Sequence, residues 1–218
     1  MFTKLIEFRN KCIEKRTPIE IAVAMLLAKL ASALVSNVTA LGVILNTSDL
    51  KSFMRIQDCA DVVFWISLIL ILASIFADKV RFARFIMITY TILMTLQLVV
   101  NVVILVTGAH TQIGKPLYYL WDVALVYLMN IFVFTAWYWI ADTSNERGFI
   151  FPTVNGAGKE HKELHFIDYL FIAFNVSATF GPANEIVLSV WTKVLMMCQT
   201  GISMIIVVVL AARAASLT

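Results

Sequence analysis

The sequence predicts an all-α integral membrane protein, a six-helix bundle, with five spans plus a re-entrant pore helix as the alternative. Three observations carry that fold class. Of 218 residues, 61% are hydrophobic and only 14% charged, against about 45–50% and about 25% in soluble domains. Mean hydropathy is +0.87, more apolar surface than a globule of this size can hide from water. The apolar residues also gather in runs long enough to cross a ~30 Å hydrocarbon core as helices. This composition excludes a soluble enzyme, a disordered chain and a nucleic-acid-binding domain.

Residues 1–16 are too charged for a signal-peptide core, and no cleavage site follows. Phe2, Leu5, Ile6, Cys12 and Ile13 fall near one helical face, with Lys4, Lys11 and Lys15 elsewhere, which predicts an amphipathic helix on the membrane surface. Six apolar runs follow, at about 18–45, 60–77, 82–107, 116–141, 164–182 and 186–212. Pro18, Pro116, Pro152 and Pro182 all fall at proposed boundaries, and proline suits a first helical turn. Thr17 and Glu20 have capping-box spacing at the start of the first span. The fourth run carries Tyr118, Tyr119 and Trp121 at one end and Trp137, Tyr138 and Trp139 at the other. Nineteen steps separate Tyr119 from Tyr138, about 29 Å of helix, which matches a full crossing between two interfacial aromatic belts.

Basic residues set the orientation. With six crossings, one face holds Lys4, Arg9, Lys11, Lys15, Arg16, Lys79, Arg81, Arg84, Arg147, Lys159, Lys162 and Arg213, and the other only Lys51, Arg55 and Lys115. The richer face is cytoplasmic by the positive-inside rule, so both termini are expected there, in a multi-pass protein of the cell (inner) membrane. The chain divides into the surface helix (1–16), a four-helix transmembrane region (17–141), a cytoplasmic loop (142–163) and a pore-like helical hairpin (164–218). Cys12, Cys59 and Cys198 are far apart with no Cys-x-x-Cys, and are read as free thiols.

The run His165-Phe-Ile-Asp-Tyr-Leu-Phe-Ile-Ala-Phe-Asn-Val-Ser-Ala-Thr-Phe-Gly-Pro-Ala-Asn184, followed by a long helix through Gly201 to Arg213, resembles the pore module of tetrameric potassium-type cation channels. Asp168, Tyr169, Phe171, Phe174, Thr179, Gly181, Gly201, Ala212 and Arg213 carry the resemblance, over about fifty residues. It implies a homo-oligomer, a tetramer favoured, conducting ions along a shared axis lined by Asn175, Ser177, Thr179, Gly181, Pro182, Asn184, Gln199 and Gly201. Gly181-Pro182-Ala183-Asn184 stands where that family has Gly-Tyr-Gly-Asp. Proline fixes φ and alanine replaces a permissive glycine, so the ordinary carbonyl filter for potassium is not expected. Trp137-Tyr138, Gly148 to Pro152 and Phe166 to Tyr169 also resemble a family of uncharacterised six-span bacterial membrane proteins, which implies a fold and no activity.

Charges inside apolar spans are costly and normally find a partner or water. Lys29, Asp122, Asp168, Lys193 and Arg213 are the intramembrane candidates. In a six-crossing bundle, Asp122 and Lys193 lie at matching depth, with Glu185 a rival partner, and so do Asp168 and Arg213. Asn37, Gln97, Asn101 and Asn130 read as hydrogen-bonding glue between helices. His161, His165 and Asp168 share a helical stripe near Glu163, but lack the His-Glu-x-x-His order and read as a solvated helix start; no metal or cofactor is expected. No catalytic motif is present, so the protein is not expected to be an enzyme. Lys4, Arg9, Lys11, Lys15, Arg16, Lys79, Arg81 and Arg84 form a basic face suited to the lipid bilayer or to an anionic cytoplasmic ligand such as a nucleotide or oligonucleotide that acts on a gate. The expected function is an oligomeric ion channel or pore, with a small-solute transporter or a non-conducting membrane anchor or sensor as alternatives.

Overall fold

In a computed structural model, described for residues 16–38, 62, 64–66, 69, 80–107, 116–143, 148–150, 166–179, 181 and 186–215, the chain is all-α apart from one pair of two-residue strands. The elements are α1 (Arg16–Val38), α2 (Val80–Thr107), α3 (Pro116–Asp142), β1 (Phe149–Ile150), α4 (Phe166–Thr179), β2 (Ile186–Val187) and α5 (Val190–Ala215). Residues 62, 64–66 and 69, in the expected second span, are helical too. The predicted surface helix, the 151–165 stretch with its histidines, Pro182, Asn184 and Glu185 lie outside the described residues.

Helices α2, α3 and α5 are long and apolar enough to cross a membrane. The protein is a multi-pass membrane protein. Pro116 opens α3 in the first-turn position expected for it. Helix α3 is the central pillar, packed against α1, α2, α4 and α5. Its span is 67% buried, against 39% for α2 and 33% for α5, so the latter two offer one face inward and the rest outward.

Specific contacts fix the directions. Tyr90 of α2 donates to the Met25 carbonyl of α1 (3.5 Å) and Asn101 donates to Ser32 Oγ (3.3 Å), so α1 and α2 run parallel. Asn101 also meets Met129 Sδ (3.4 Å), while Trp137 Nε1 donates to Thr95 Oγ1 (2.8 Å), so α3 runs antiparallel to both. Tyr169, early in α4, bonds Asp142 at the end of α3, and Ser177, late in α4, bonds Asn130. On α5, Thr192 abuts Gly148 just past α3, and Ser203 bonds Asn130. Helices α4 and α5 therefore start at the same end of the bundle and run parallel.

That geometry bears on the expected fifth crossing. Helix α4 has 14 residues, about 21 Å, short of the ~30 Å core. After it, the chain must return to the end where α4 began, because Ile186 and Val187 pair antiparallel with Ile150 and Phe149. Within 164–182, residues 166–179 thus form a half-length helix, after which the chain is back at the level of β1 by residue 186. The physical reason is polar: Asp142, Gln199 and Asn130 hold the helix at its start, middle and end, whereas run length alone cannot tell a crossing from a re-entry.

Two further expectations change with it. The end of α5 lies opposite the start of α1, whereas the sequence led both to be expected on one face. Arg213 moves to that far face, yet Arg16, Arg81 and Arg84 still stand in the first two turns of α1 and α2, at one end of the bundle. Trp137, Tyr138 and Trp139 are not a lipid-facing belt either: Tyr138 and Trp139 are buried in the core and Trp137 bonds Thr95. Trp121, 67% exposed near the start of α3, and Trp191, 55% exposed at the start of α5, are the outward-facing indoles of opposite ends. In sealed vesicles an impermeant protease should therefore remove a tag from only one terminus; removal of both tags, or of neither, refutes the arrangement.

Candidate functional site

The site is built where α3, α4 and α5 meet. An inward row on α3, Asn130, Tyr138 and Asp142, supplies its polar groups. At mid-depth Asn130 Nδ2 donates to Ser203 Oγ (2.8 Å) on α5 and to Ser177 Oγ (3.4 Å) on α4. Gln199 of α5 donates through Nε2 to the Ala173 carbonyl and to Ser177 Oγ, both at 2.8 Å. Its Oε1 accepts the Tyr138 hydroxyl. All five side chains have 1% exposure or less. Interhelical hydrogen bonds of this kind are worth about 0.6–2 kcal/mol each in membranes, so the set anchors α4 without any full crossing.

At the end of α3, Asp142 ties three segments together. Oδ1 accepts the Gly148 and Phe149 amides (3.0 and 3.2 Å) and Oδ2 accepts the Tyr169 hydroxyl (2.7 Å). Phe149 folds edge-on to Tyr138, with ring centroids 5.5 Å apart, and the Gly148 carbonyl accepts the Leu188 amide (3.0 Å). A Cβ on Gly148 would come within 2.9 Å of the buried Thr192 hydroxyl, so this close approach requires glycine. The loop after α3 and the chain entering α5 are thereby joined.

The residues expected to line a pore divide between two faces. Ser177 and Gln199 are enclosed within the single chain, where they hold α4 against α3 and α5. Thr179 is exposed, with its hydroxyl 2.8 Å from the Asn175 carbonyl and 3.1 Å from that of Gly181. Asn175 is half-buried and its Nδ2 has no hydrogen-bond partner. Gly181 is half-buried, Gly201 is exposed, and nothing lies within 4 Å of a Cβ built on either. Gly201 is therefore not a close-packing site inside the chain. Thr179 and Gly201 remain on the outward side and Asn175 lies between the two faces with its amide nitrogen enclosed, while Pro182 and Asn184 lie outside the described residues.

The two expected ion pairs are corrected by direction. Asp122 lies six residues into α3, while Lys193 is beside Thr192 at the other end, which abuts Gly148. Twenty residues of α3 separate Asp122 from Asp142, about 30 Å. Asp168 and Arg213 stand at opposite ends of α4 and α5 for the same reason. Lys193 is exposed; Lys29 is buried with Nζ 5.8 Å from the Phe64 ring centroid. Asn101 and Asn130 bridge helices as expected of them. Among the basic-face residues, Lys4, Arg9, Lys11, Lys15 and Lys79 lie outside the described residues, and Arg16, Arg81 and Arg84 are placed by their helices. Among the described residues no group of three or more His, Cys, Asp or Glu could hold a metal.

Sequence reasoning missed Tyr138 and Asp142. The usable signal was an aspartate closing an apolar span with Gly148-Phe149 six residues later, a spacing that lets backbone amides cap a carboxylate. No protein-family model, curated protein or solved structure matches the chain.

Replacing Asp142 with Asn weakens acceptance from three donors. It should lower stability in detergent by about 1–3 kcal/mol, read as an earlier thermal unfolding midpoint, while Phe85→Ala, at a 69% exposed position of α2, should leave that midpoint nearly unmoved. Equal midpoints for Asp142→Asn and the parent would exclude the capping role.

Proposed function

We propose that the protein is an oligomeric ion channel of the cell (inner) membrane, tetrameric by the channel resemblance, without ordinary potassium selectivity. The observation that carries this reading is the half-length α4 followed by a return to its own starting face. Within lipid, non-helical backbone is tolerated only when protein covers it or water reaches it. Thr179 lies about 21 Å along the bundle from the level of Asp142, with Thr179 and Gly181 incompletely covered by this chain. Neighbouring copies around a wet axis meet both requirements at once.

Charge favours cations. The C-terminal end of α4 points into the middle of the bundle, presenting the negative pole of its dipole and its last carbonyls. Asn175, Thr179, Gly181, Pro182, Asn184 and Gly201 are the lining candidates, with Ser177 and Gln199 as the scaffold behind them. The re-entrant opening faces the end that carries Arg16, Arg81 and Arg84. By the positive-inside rule that end is cytoplasmic, so the path is entered from inside, the reverse of the family it resembles. An anionic cytoplasmic ligand acting on a gate would meet this same basic end.

A transporter is the second reading, because a helix that stops mid-membrane is also how carriers build substrate sites. Purified protein in liposomes separates them: a channel passes cations without saturation at modest concentration, a carrier saturates and selects one solute. Gly201→Leu fits within a single chain and should cut cation flux at least several-fold, and Thr179→Val should change it measurably. Unchanged flux in both variants, or a particle of one copy by mass photometry, would overturn the channel.

A further inference from the structure

Away from the re-entrant helix, a second polar line runs between α1, α2 and α3. Asn101 of α2 bonds Ser32 of α1 and touches Met129 of α3. Lys29 lies one turn from Ser32 on α1. Seven residues before Met129, on the same stripe of α3 and about 10 Å along it, stands Asp122. Asp122 is 2% exposed, and its Oδ1 is buried with no hydrogen-bond partner. Buried charges are normally paired, and a carboxylate left in an apolar interior without a partner binds a cation or a proton instead.

We infer that Asp122 is a membrane-embedded binding site for a small monovalent cation, a proton or an alkali ion, reached from the end where α3 begins. Its depth supports the direction of access: six residues from Pro116, about 9 Å, against about 30 Å to the far end. Among the described residues, the charges that can be placed stand away from it, at other depths or on another side. Arg81, Arg84, Asp168 and Lys193 stand at the opposite end of the bundle. Lys29 is nearer the middle, some ten residues of helix away by the Ser32–Asn101–Met129 level. Arg213 of α5 is the charged position at Asp122's depth, counting from the Asn130–Ser203 bond. Asp122 faces the α1–α2 side with Met129 rather than the α4–α5 side with Asn130. The site is therefore separate from the proposed pore and does not rest on it.

Infrared spectroscopy of the lipid-reconstituted full chain reads the carboxyl directly, whether or not the protein conducts. Acidification should bring up a protonated-carboxyl band in the parent that is lost in Asp122→Asn and displaced in Asp122→Glu. If Asp122 takes up only protons, sodium or potassium at fixed pH leaves that band unchanged; if alkali ions bind, they diminish it. Either outcome supports the site. Spectra of Asp122→Asn identical to the parent at every pH, or a band from Asp122 that neither pH nor salt alters, would overturn it. Glu in place of Asp keeps the test valid if the amide variant fails to fold.

Discussion

Everything distinctive in this fold depends on α3 presenting hydrogen-bonding groups along the side that meets α4 and α5. A 14-residue apolar helix has no reason of its own to stop midway through a bilayer; hydrophobicity alone would draw it across or leave it at the surface. Asp142 seizes its first turn through Tyr169, Gln199 its middle at the Ala173 carbonyl, and Asn130 its last turn through Ser177. Each bond is modest in free energy, yet each is made where the unbonded group would sit in hydrocarbon. Position, more than bond strength, is what they supply.

How far the sequence shows this can be judged element by element. Helices α2 and α3 stand out because long apolar runs have few alternatives, and their ends match Pro116 and the charged flanks. The crossing number did not stand out. The nineteen residues 164–182, mostly apolar, are long enough to span, and the charge count, built on that crossing, put Arg213 at the end of the bundle opposite to the one α5 gives it. The Asp122–Lys193 and Asp168–Arg213 pairs inherited the same error. Nothing local in the sequence announces that β2 returns to β1, since two-residue strands carry no periodic signal.

The division of polar residues on α4 and α5 is more legible than the crossing number. At 3.6 residues per turn, Asn175 and Thr179 share one face of α4 while Ser177 falls roughly opposite. On α5, Gln199 and Ser203 share a face and Gly201 falls on the other. The structure keeps that division: Ser177, Gln199 and Ser203 are buried together, Thr179 and Gly201 face outward. A single polar stripe per helix would indicate either glue or lining. On α4 an inner polar residue fixes the backbone and Thr179 is left outward, while on α5 the outward member is Gly201 alone.

That separation bears on what the end of α4 can do. A helix leaves its last carbonyls without intrahelical donors, and here the end lies at mid-depth, where lipid offers none. The Thr179 hydroxyl has one hydrogen to share between the Asn175 and Gly181 carbonyls, so it relieves one of them at a time. Fully lipid-covered, such an end would leave desolvated acceptors beside the negative pole of the helix. Water or a cation is the natural complement, and a neutral hydroxyl next to it neither competes for the charge nor repels it. The bonds that hold α4 short thus also place the negative pole of its dipole inside the bundle.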